Sequence, residues 1–270
     1  MSGTRKAFTI VELVVVLSVL AALTHLAVRE LSHVRDSKLA RAADRQLEVL
    51  GESVYSCTPG AEAAGFLADM GRLPRLADGA TLGELWQMPT NARPYAVRAA
   101  TAENLVPGLE HLADGAVHVP TGWRGPYLRL PPGASRLLDP WGNPVERTDD
   151  AGLVRLWTTN GFVHAVSHYG PGARAGGMRT HSLVPNGGAE SRLFVSAVSA
   201  DATFAGDISY TWYGPADGLI TGAVRKVLYP ASAVFEGLTP GRRILKDSRS
   251  GCARVIDLRP GDNLVAIQIP

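Results

Sequence analysis

The chain has 270 residues, of which 46% are hydrophobic and 19% charged, the balance of a folded protein with a sizeable core. Its 27 basic and 25 acidic residues leave a formal net charge of +2, which is too small for a wide basic face that binds nucleic acid. Cys57 and Cys252 permit one internal disulfide at most, which excludes a disulfide-rich scaffold. They could pair in an oxidising compartment, but we expect two unpaired, buried thiols.

The first predicted element is an apolar helix. A short basic segment with Arg5 and Lys6 precedes Phe8 to Val28, a run of 21 residues in which Glu12 is the one formally charged side chain. As a helix this run rises about 32 Å, enough for a bilayer core of about 30 Å. By the positive-inside tendency, Arg5 and Lys6 stay in the cytoplasm and everything after the run crosses. The pattern predicts a single membrane span.

The apolar run continues into an amphipathic stretch from Arg29 to about Val54. Its apolar residues recur at steps of three or four, as on one face of a helix: Leu39, Ala43, Leu47, Leu50 and Val54. No Pro or Gly interrupts the chain between Phe8 and Leu50, so the pattern predicts one helix of about 45 residues. Gly51 could interrupt this helix, and Thr58-Pro59-Gly60 ends it.

The middle of the chain is mixed. Short helices are expected around Leu82 to Trp86 and around Ala102 to Leu112. From Trp123 to Gly177 the short apolar stretches PYLRL, LVRLWTT and FVHAVSHYG alternate with Pro, Gly and Asp turns, which predicts a small antiparallel sheet. Residues Ala175 to Glu190 are rich in Gly, Ser and Asn, as a linker would be.

The last 80 residues read as successive short strands, a pattern typical of a small β-sandwich. The predicted strands are Leu193 to Val198, Ile208 to Tyr213, Leu219 to Leu228, Ser232 to Phe235, Arg242 to Leu245, Cys252 to Leu258 and Asn263 to Ile269. The predicted fold class is therefore α+β, with a long N-terminal helix packed on a small antiparallel sheet and a C-terminal β-sandwich. The expected division is a leader at 1–7, a transmembrane helix at 8–28, a stalk and head at 29–178, a linker at 179–190 and the sandwich at 191–270.

Glu12 is the most informative residue of the apolar run. At the bilayer centre an acidic side chain on an isolated helix costs about 2.5 to 3.5 kcal/mol, so Glu12 needs a compensating partner. The segment Lys6-Ala7-Phe8-Thr9-Ile10-Val11-Glu12-Leu13 resembles the processing site of type IV prepilins. In that family a basic leader is cut before a Phe, the new amine is N-methylated, and a Glu four residues further on promotes assembly. The resemblance implies cleavage between Ala7 and Phe8, where the family usually has Gly in place of Ala7, and pairing of the Phe8 amine with Glu12 of a neighbouring copy.

Two further motifs resemble the major pseudopilin of type II secretion systems. They are Trp123-Arg124-Gly125-Pro126-Tyr127-Leu128 and Leu138-Asp139-Pro140-Trp141-Gly142-Asn143-Pro144. Asp139-Pro140 followed by Gly142-Asn143-Pro144 favours tight turns, because Pro presets φ and Gly or Asn accepts a positive φ. We expect Trp141 to close the small sheet over the helix. The motif is structural and catalyses nothing.

The resemblance implies a structural subunit of a type II secretion pseudopilus. Its expected partners are prepilin peptidase, other copies, minor pseudopilins and the inner-membrane assembly platform. The chain would cross the bacterial inner membrane once, with its head in the periplasm. The alternatives are a minor pilin of a type IV pilus, a membrane-anchored periplasmic binding protein that never polymerises, and an uncleaved signal anchor or secretory signal peptide.

No cofactor or metal is expected. In the pseudopilin family the loop after the sheet usually holds calcium through aspartates, but the corresponding Ser167 to Gly177 contains no acid. Because calcium needs oxygen ligands that usually include carboxylates, we do not expect a site there. His164 and His168 fit surface or packing histidines better than metal ligands. The sequence contains no G-x-S-x-G elbow and no evident acid and base pair, so we do not expect an enzyme.

Overall fold

One long helix organises the N-terminal part of the protein. A computed structural model of the chain describes residues 10–56, 64–75, 82–142, 145–150, 153–158, 179–182, 191–199 and 204–269. Helix α1, Ile10–Val54, is continuous over 45 residues, which confirms the predicted length. Gly51 lies inside it and is buried, and its carbonyl accepts the backbone N–H of Tyr55 at 2.9 Å. The possible interruption at Gly51 is therefore not found, because the glycine is held within the last turns.

Three short helical elements follow along the chain. They are α2, Phe66–Met70, and two 3₁₀ turns, Gly83–Leu85 and Glu110–Leu112. The helix predicted around Leu82 is confirmed as the first 3₁₀ turn. The helix predicted over Ala102 to Leu112 is wrong for most of its length, since only its last three residues are helical. Helix α2 was not predicted, because five residues are too short for a periodic pattern to stand out.

Two small antiparallel sheets belong to the head. Strands β1, Ala96–Ala100, and β2, Asp114–Thr121, form a pair that the sequence did not indicate. Strands β3, Glu146–Asp150, β4, Leu153–Thr158, and β5, Arg179–Ser182, form a sheet of order β3-β4-β5, in which β4 and β5 lie beside α1. Strand β4 confirms the LVRLWTT prediction, and β5 occupies the first residues of the predicted linker.

The PYLRL stretch is a correction to the predicted sheet. Residues Tyr127 to Leu130 form no strand. Instead the backbone N–H groups of Tyr127 and Leu128 both donate to the carbonyl oxygen of Leu85, at 2.8 and 3.1 Å. The backbone of this segment therefore forms hydrogen bonds with the first 3₁₀ turn and not with a neighbouring strand. The FVHAVSHYG stretch lies outside the described residues.

The C-terminal part contains seven strands, at the positions that the alternating pattern predicted. They are β6, Ser191–Ser199, β7, Asp207–Ala216, β8, Leu219–Leu228, β9, Ala233–Leu238, β10, Gly241–Asp247, β11, Ala253–Leu258, and β12, Gly261–Ile269. Four of them form a sheet of order β11-β10-β7-β8, and three form a sheet of order β12-β6-β9. All neighbours are antiparallel except β6 and β12, which are parallel.

The described hydrophobic core has three main clusters. The first joins α1 and α2, around Leu47, Leu50 and Phe66. The second joins the two C-terminal sheets, which therefore face each other as in a β-sandwich. The third contains side chains from β1, β2, β7, β8 and β10. Because of this third cluster, the head and the C-terminal strands share a core across the segment predicted as a linker.

Candidate assembly interface

The first half of α1 is uncovered. Every side chain from Ile10 to Val28 is exposed, and Ile10 itself is 82% exposed. Among the described residues α1 is the one helix long and apolar enough to span a membrane. The hydroxyls of Ser18 and Thr24 donate to the carbonyl oxygens of Val14 and Leu20, at 2.8 and 2.7 Å. These two polar groups are thus satisfied within the helix, as a lipid environment requires.

Glu12 lies in the first turn of α1, and its side chain is exposed. An acidic group is favourable there, because the N-terminal end of a helix carries a partial positive charge. Ala7 and Phe8 precede the described residues, so their roles in processing stay predictions.

The second half of α1 has one covered face. Ala43, Leu47, Leu50 and Val54 are buried, which confirms the predicted amphipathic stripe, while Leu39 is half-buried. They face a cluster formed by α2, the first 3₁₀ turn and the segments that follow it: Phe66, Met70, Leu82, Leu85 and Val145, with Trp86, Trp123, Tyr127 and Leu137 partly buried against it. The head is therefore fixed to the helix by apolar packing.

The Asp139 motif forms a tight turn that is attached to the helix. The side-chain carboxylate of Asp139 accepts a hydrogen bond from the backbone N–H of Trp141 at 2.9 Å. The backbone carbonyl oxygen of Asp139 accepts one from the N–H of Gly142, also at 2.9 Å. Gly142 has a φ of +88°, a conformation that favours glycine. The side-chain amide of Gln46 on α1 donates to the Leu138 carbonyl oxygen at 2.8 Å. The motif thus ties its own turn to the stalk.

The structure describes two of the other four residues of this motif. Pro140 occupies the turn, and Trp141 is half-buried. Asn143 and Pro144 lie outside the described residues. The tryptophans that pack on the helix cluster are Trp86 and Trp123, so the covering role predicted for Trp141 stays a prediction.

The Trp123 motif surrounds a buried carboxylate that the sequence did not single out. Asp69 on α2 accepts a hydrogen bond from Arg124 Nη2 at 2.8 Å and one from the Tyr127 hydroxyl at 3.0 Å. Burial raises the pKa of Asp69, and the Arg124 guanidinium opposes that shift. Trp123 Nε1 donates to the Glu84 carbonyl oxygen at 2.8 Å. The motif therefore joins α2 to the first 3₁₀ turn.

A second polar network connects the head with the C-terminal strands. Arg72 pairs with Glu84 at 2.6 Å and with Asp217 at 2.6 Å, and Arg75 pairs with Asp217 at 2.9 Å. Asp217 lies in the turn between β7 and β8 with a φ of +53°. Asp217 and Gly218 lie in a hairpin turn, where an Asp-Gly sequence is favoured. The pairing of Asp217 with Arg72 had no local signal.

A buried arginine holds the turn that joins β9 to β10. Arg243 on β10 is 1% exposed. Its guanidinium donates to the Thr239 hydroxyl, to the carbonyl oxygens of Thr239 and Arg242 at 2.6 and 2.7 Å, and to the carbonyl oxygen of Pro240 at 3.2 Å. Burial lowers the pKa of Arg243 to about 10. The many acceptors compensate for burying this cation.

The cysteine prediction is partly corrected. Cys252 is a free thiol, as expected, but it is exposed because it lies after the turn that joins β10 to β11. Cys57, His164, His168 and the Ser167 to Gly177 loop lie outside the described residues. Within the ranges that the structure describes, no group of three or more His, Cys, Asp or Glu residues converges as a metal site would.

Comparison with family models, with curated proteins and with solved structures finds no match to this chain.

Proposed function

We propose that this chain is a structural subunit of a type II secretion pseudopilus, polymerised through α1. The observation that carries the proposal is the division of α1 into two halves. The first half is apolar and uncovered, with Glu12 in its first turn, and the second half is buried on one face by the head. The prepilin-like segment and the two pseudopilin-like motifs support the same function.

The assembly step follows from electrostatics within the membrane. Prepilin peptidase cuts between Ala7 and Phe8, and the new α-amino group stays cationic after methylation. The amine of an incoming copy then pairs with Glu12 of a copy already in the filament. A charge in lipid without a partner is unfavourable, so this pairing sets the axial position of each new copy.

The head has the complementary task of staying attached to the helix. In the proposed filament the apolar halves of α1 stack inside, on an inner-membrane assembly platform, while the heads form the periplasmic surface. The packing around Leu47 and Leu50, the hydrogen bond from Gln46 and the network at Asp69 keep helix and head together. Without these contacts, movement of the filament would separate the helices inside it from the heads on its surface.

The first test is the mature N-terminus. We expect mass spectrometry of the chain, isolated from cells with an active prepilin peptidase, to find an N-methylated Phe8 as the first residue. The control is a strain that lacks the peptidase, in which the leader should remain. A chain that still begins at Met1 or Ser2 despite an active peptidase contradicts the proposal and favours a membrane-anchored protein that does not polymerise.

The second test is Glu12→Ala. We expect processing and membrane insertion to continue while incorporation into filaments falls, because the amine of Phe8 loses its partner. Ser18→Ala is the matched control on the same uncovered surface, since it removes only a hydroxyl bonded within the helix. A normal filament yield from Glu12→Ala refutes the pairing. Deletion of the gene then separates the two filament types: loss of secretion indicates a pseudopilus, and loss of twitching or adhesion indicates a type IV pilus.

A further inference from the structure

The two sheets of the C-terminal sandwich have four edge strands among the described residues, and three of them are protected against pairing with another chain: β8, β9 and β11. Strands β9 and β11 are short, with six residues each. Exposed charges lie on all three edges, namely Arg225 and Lys226 on β8, Glu236 on β9 and Asp257 on β11. Short length and charge both discourage the unpaired N–H and C=O groups of an edge from recruiting another strand.

The fourth edge strand, β12, lacks this protection over most of its length. It has nine residues, and β6 is its one strand neighbour in the described part of the chain. After Asp262 it contains no charged residue, Pro or Gly. Leu264 is 85% exposed, more than any other large hydrophobic side chain that the structure describes. An open, apolar and uncharged edge of this length is a surface that a further strand can extend.

The backbone of β12 offers hydrogen bonds at this edge. Arg254 on β11 donates to the Gln268 carbonyl oxygen at 3.2 Å, so this oxygen points away from β6. Because successive residues of a strand direct their backbone groups to opposite sides, Asp262, Leu264 and Ala266 share this direction. The contact from Arg254 is exposed, and a carbonyl oxygen has two lone pairs, so an incoming N–H can still bond to Gln268.

We infer that β12 pairs with β12 of a second copy of this chain, antiparallel and centred on Val265. In this register Asp262 lies opposite Gln268 of the other copy, and Leu264 lies opposite Ala266. All four residues direct their backbone groups to the shared edge, so both are hydrogen-bonded pairs. Two sheets of three strands then become one sheet of six, related by a two-fold axis. The inference concerns the C-terminal sandwich and does not rest on the proposed function.

The ends of the paired strands favour an identical strand as the occupant. The Asp262 carboxylate pairs with Arg192 of its own sheet at 2.8 Å, and both side chains are 53% exposed. A carboxylate accepts more than two hydrogen bonds, so Asp262 can also accept one from the Gln268 amide of the other copy. The Gln268 side chain is exposed and therefore available. By symmetry this contact forms twice, once at each end of the paired strands.

The centre of the paired strands favours the same occupant. Leu264 opposite Ala266 brings a large side chain against a small one, so exposed apolar surface is covered without crowding. A register centred on Leu264 would place Asp262 opposite Ala266, where the carboxylate gains no donor. A register centred on Ala266 would leave Asp262 beyond the paired residues. The centre at Val265 therefore uses all the outward-directed residues.

Cysteine crosslinking of the full chain in detergent micelles measures the register. In a background of Cys57→Ser and Cys252→Ser, one tagged copy carries Leu264→Cys and a differently tagged copy carries Ala266→Cys. We expect this pair to crosslink about tenfold more than two copies that both carry Leu264→Cys, because directly opposite Cα atoms lie about 5.5 Å apart and diagonal ones about 7 to 8 Å. Val255→Cys in both copies is the control and should crosslink little, since Val255 is 60% exposed but lies on the protected edge β11.

Sedimentation of the full chain in the same detergent tests the cause. Leu264→Lys should weaken dimerisation at least about tenfold, because a lysine on an edge opposes strand pairing. Val255→Lys is the matched control and should leave dimerisation unchanged. Gln268→Glu should weaken dimerisation as well, since it places a second carboxylate opposite Asp262. Adding Asp262→Asn to the same chain should restore it, because an amide and a carboxylate then meet with their roles exchanged.

The outcomes separate this inference from the proposed function. Equal crosslinking in the two registers, equal effects of Leu264→Lys and Val255→Lys, or a loss with Gln268→Glu that Asp262→Asn does not restore each overturn the inference. A chain that stays monomeric and instead binds a strand of another protein overturns it too. The proposed function is tested independently, since Glu12→Ala should dimerise like the unchanged chain.

Discussion

Replacing Arg124 by Met should destabilise the head, because the substitution leaves the carboxylate of Asp69 buried without its cation. The Asp69 side chain is 6% exposed and that of Arg124 is 54% exposed, with 2.8 Å between Oδ1 and Nη2. Methionine keeps much of the apolar stem of arginine, so the change removes mainly the charge and its hydrogen bond. The guanidinium also lies 4.2 Å from the centre of the Tyr95 ring, a contact that is lost as well.

The expected cost lies between the values for buried and exposed pairs. Breaking a fully buried pair costs about 3 to 5 kcal/mol, because the remaining charge has no partner. An exposed pair contributes about 0 to 1 kcal/mol. Since Asp69 is buried and Arg124 is half-exposed, we expect a loss of roughly 2 kcal/mol of unfolding free energy at neutral pH. The Tyr127 hydroxyl, which still donates to the carboxylate, keeps the loss from being larger.

The pH dependence has a defined sign. Burial already raises the pKa of Asp69 above its ordinary 3.8, and removing Arg124 raises it further. The folded state then holds a proton that the unfolded state has released, so stability is lost as pH rises from 3.8 through the raised folded value. Arg124→Met should therefore lower the unfolding free energy little near pH 4 and by its full amount near pH 7. This is the pH dependence expected when the protonation of one carboxyl is coupled to folding.

Urea unfolding of a chain that begins at Arg29 measures these values, since the buried stripe of α1 is retained. The control is a double-mutant cycle with Asp69→Asn, which keeps the shape of the side chain and removes its charge. In that background Arg124→Met should cost only about 0.5 kcal/mol. An equal cost with and without Asp69→Asn, or an equal cost at both pH values, would refute the electrostatic reasoning and assign the effect to packing.

Three further predictions use the same unfolding measurements. Gly71→Ala should lower the unfolding free energy by at least about 3 kcal/mol, because φ is +72° and a Cβ would lie 1.8 Å from a carbonyl oxygen of β7. Gly108→Ala is the control: φ is +92° but the surrounding space is open, so we expect a loss of only about 1 kcal/mol. Equal losses would contradict the steric reason. Asp217→Asn keeps a residue that tolerates positive φ but removes the charge that pairs with Arg72, so we expect a loss of about 1 kcal/mol that shrinks in high salt; a loss independent of salt would argue against the ion pair. Thermal unfolding should be the same in millimolar calcium and in excess chelator, since the Ser167 to Gly177 loop contains no acid; a bound calcium at a hundredfold excess over its dissociation constant would add about 2.7 kcal/mol, and a clear rise in melting temperature would show the prediction wrong.

The helix and the C-terminal strands were predictable because their patterns are local. Leu39, Ala43, Leu47 and Leu50 repeat at the helical period, and they lie on the covered face of α1. The strands from β6 to β12 were found from short alternating runs between turns. Their order was not predictable, and neither was the parallel pairing of β6 with β12, since alternation defines the faces of a strand and not its neighbours.

The polar junctions were decided by the tertiary structure alone. Asp69 and Arg124 are 55 residues apart in the chain, and Arg72 and Asp217 are 145 apart. In the sequence each of them is an ordinary surface charge, and Arg243 is one of two adjacent arginines in a strand. The sequence by itself determined the long helix, its uncovered apolar half and the position of Glu12, because hydrophobic period and charge act over a few residues. Which charges become buried, and which partners then compensate them, depends on segments that meet only after folding, because the cost of burial exists only in the assembled core.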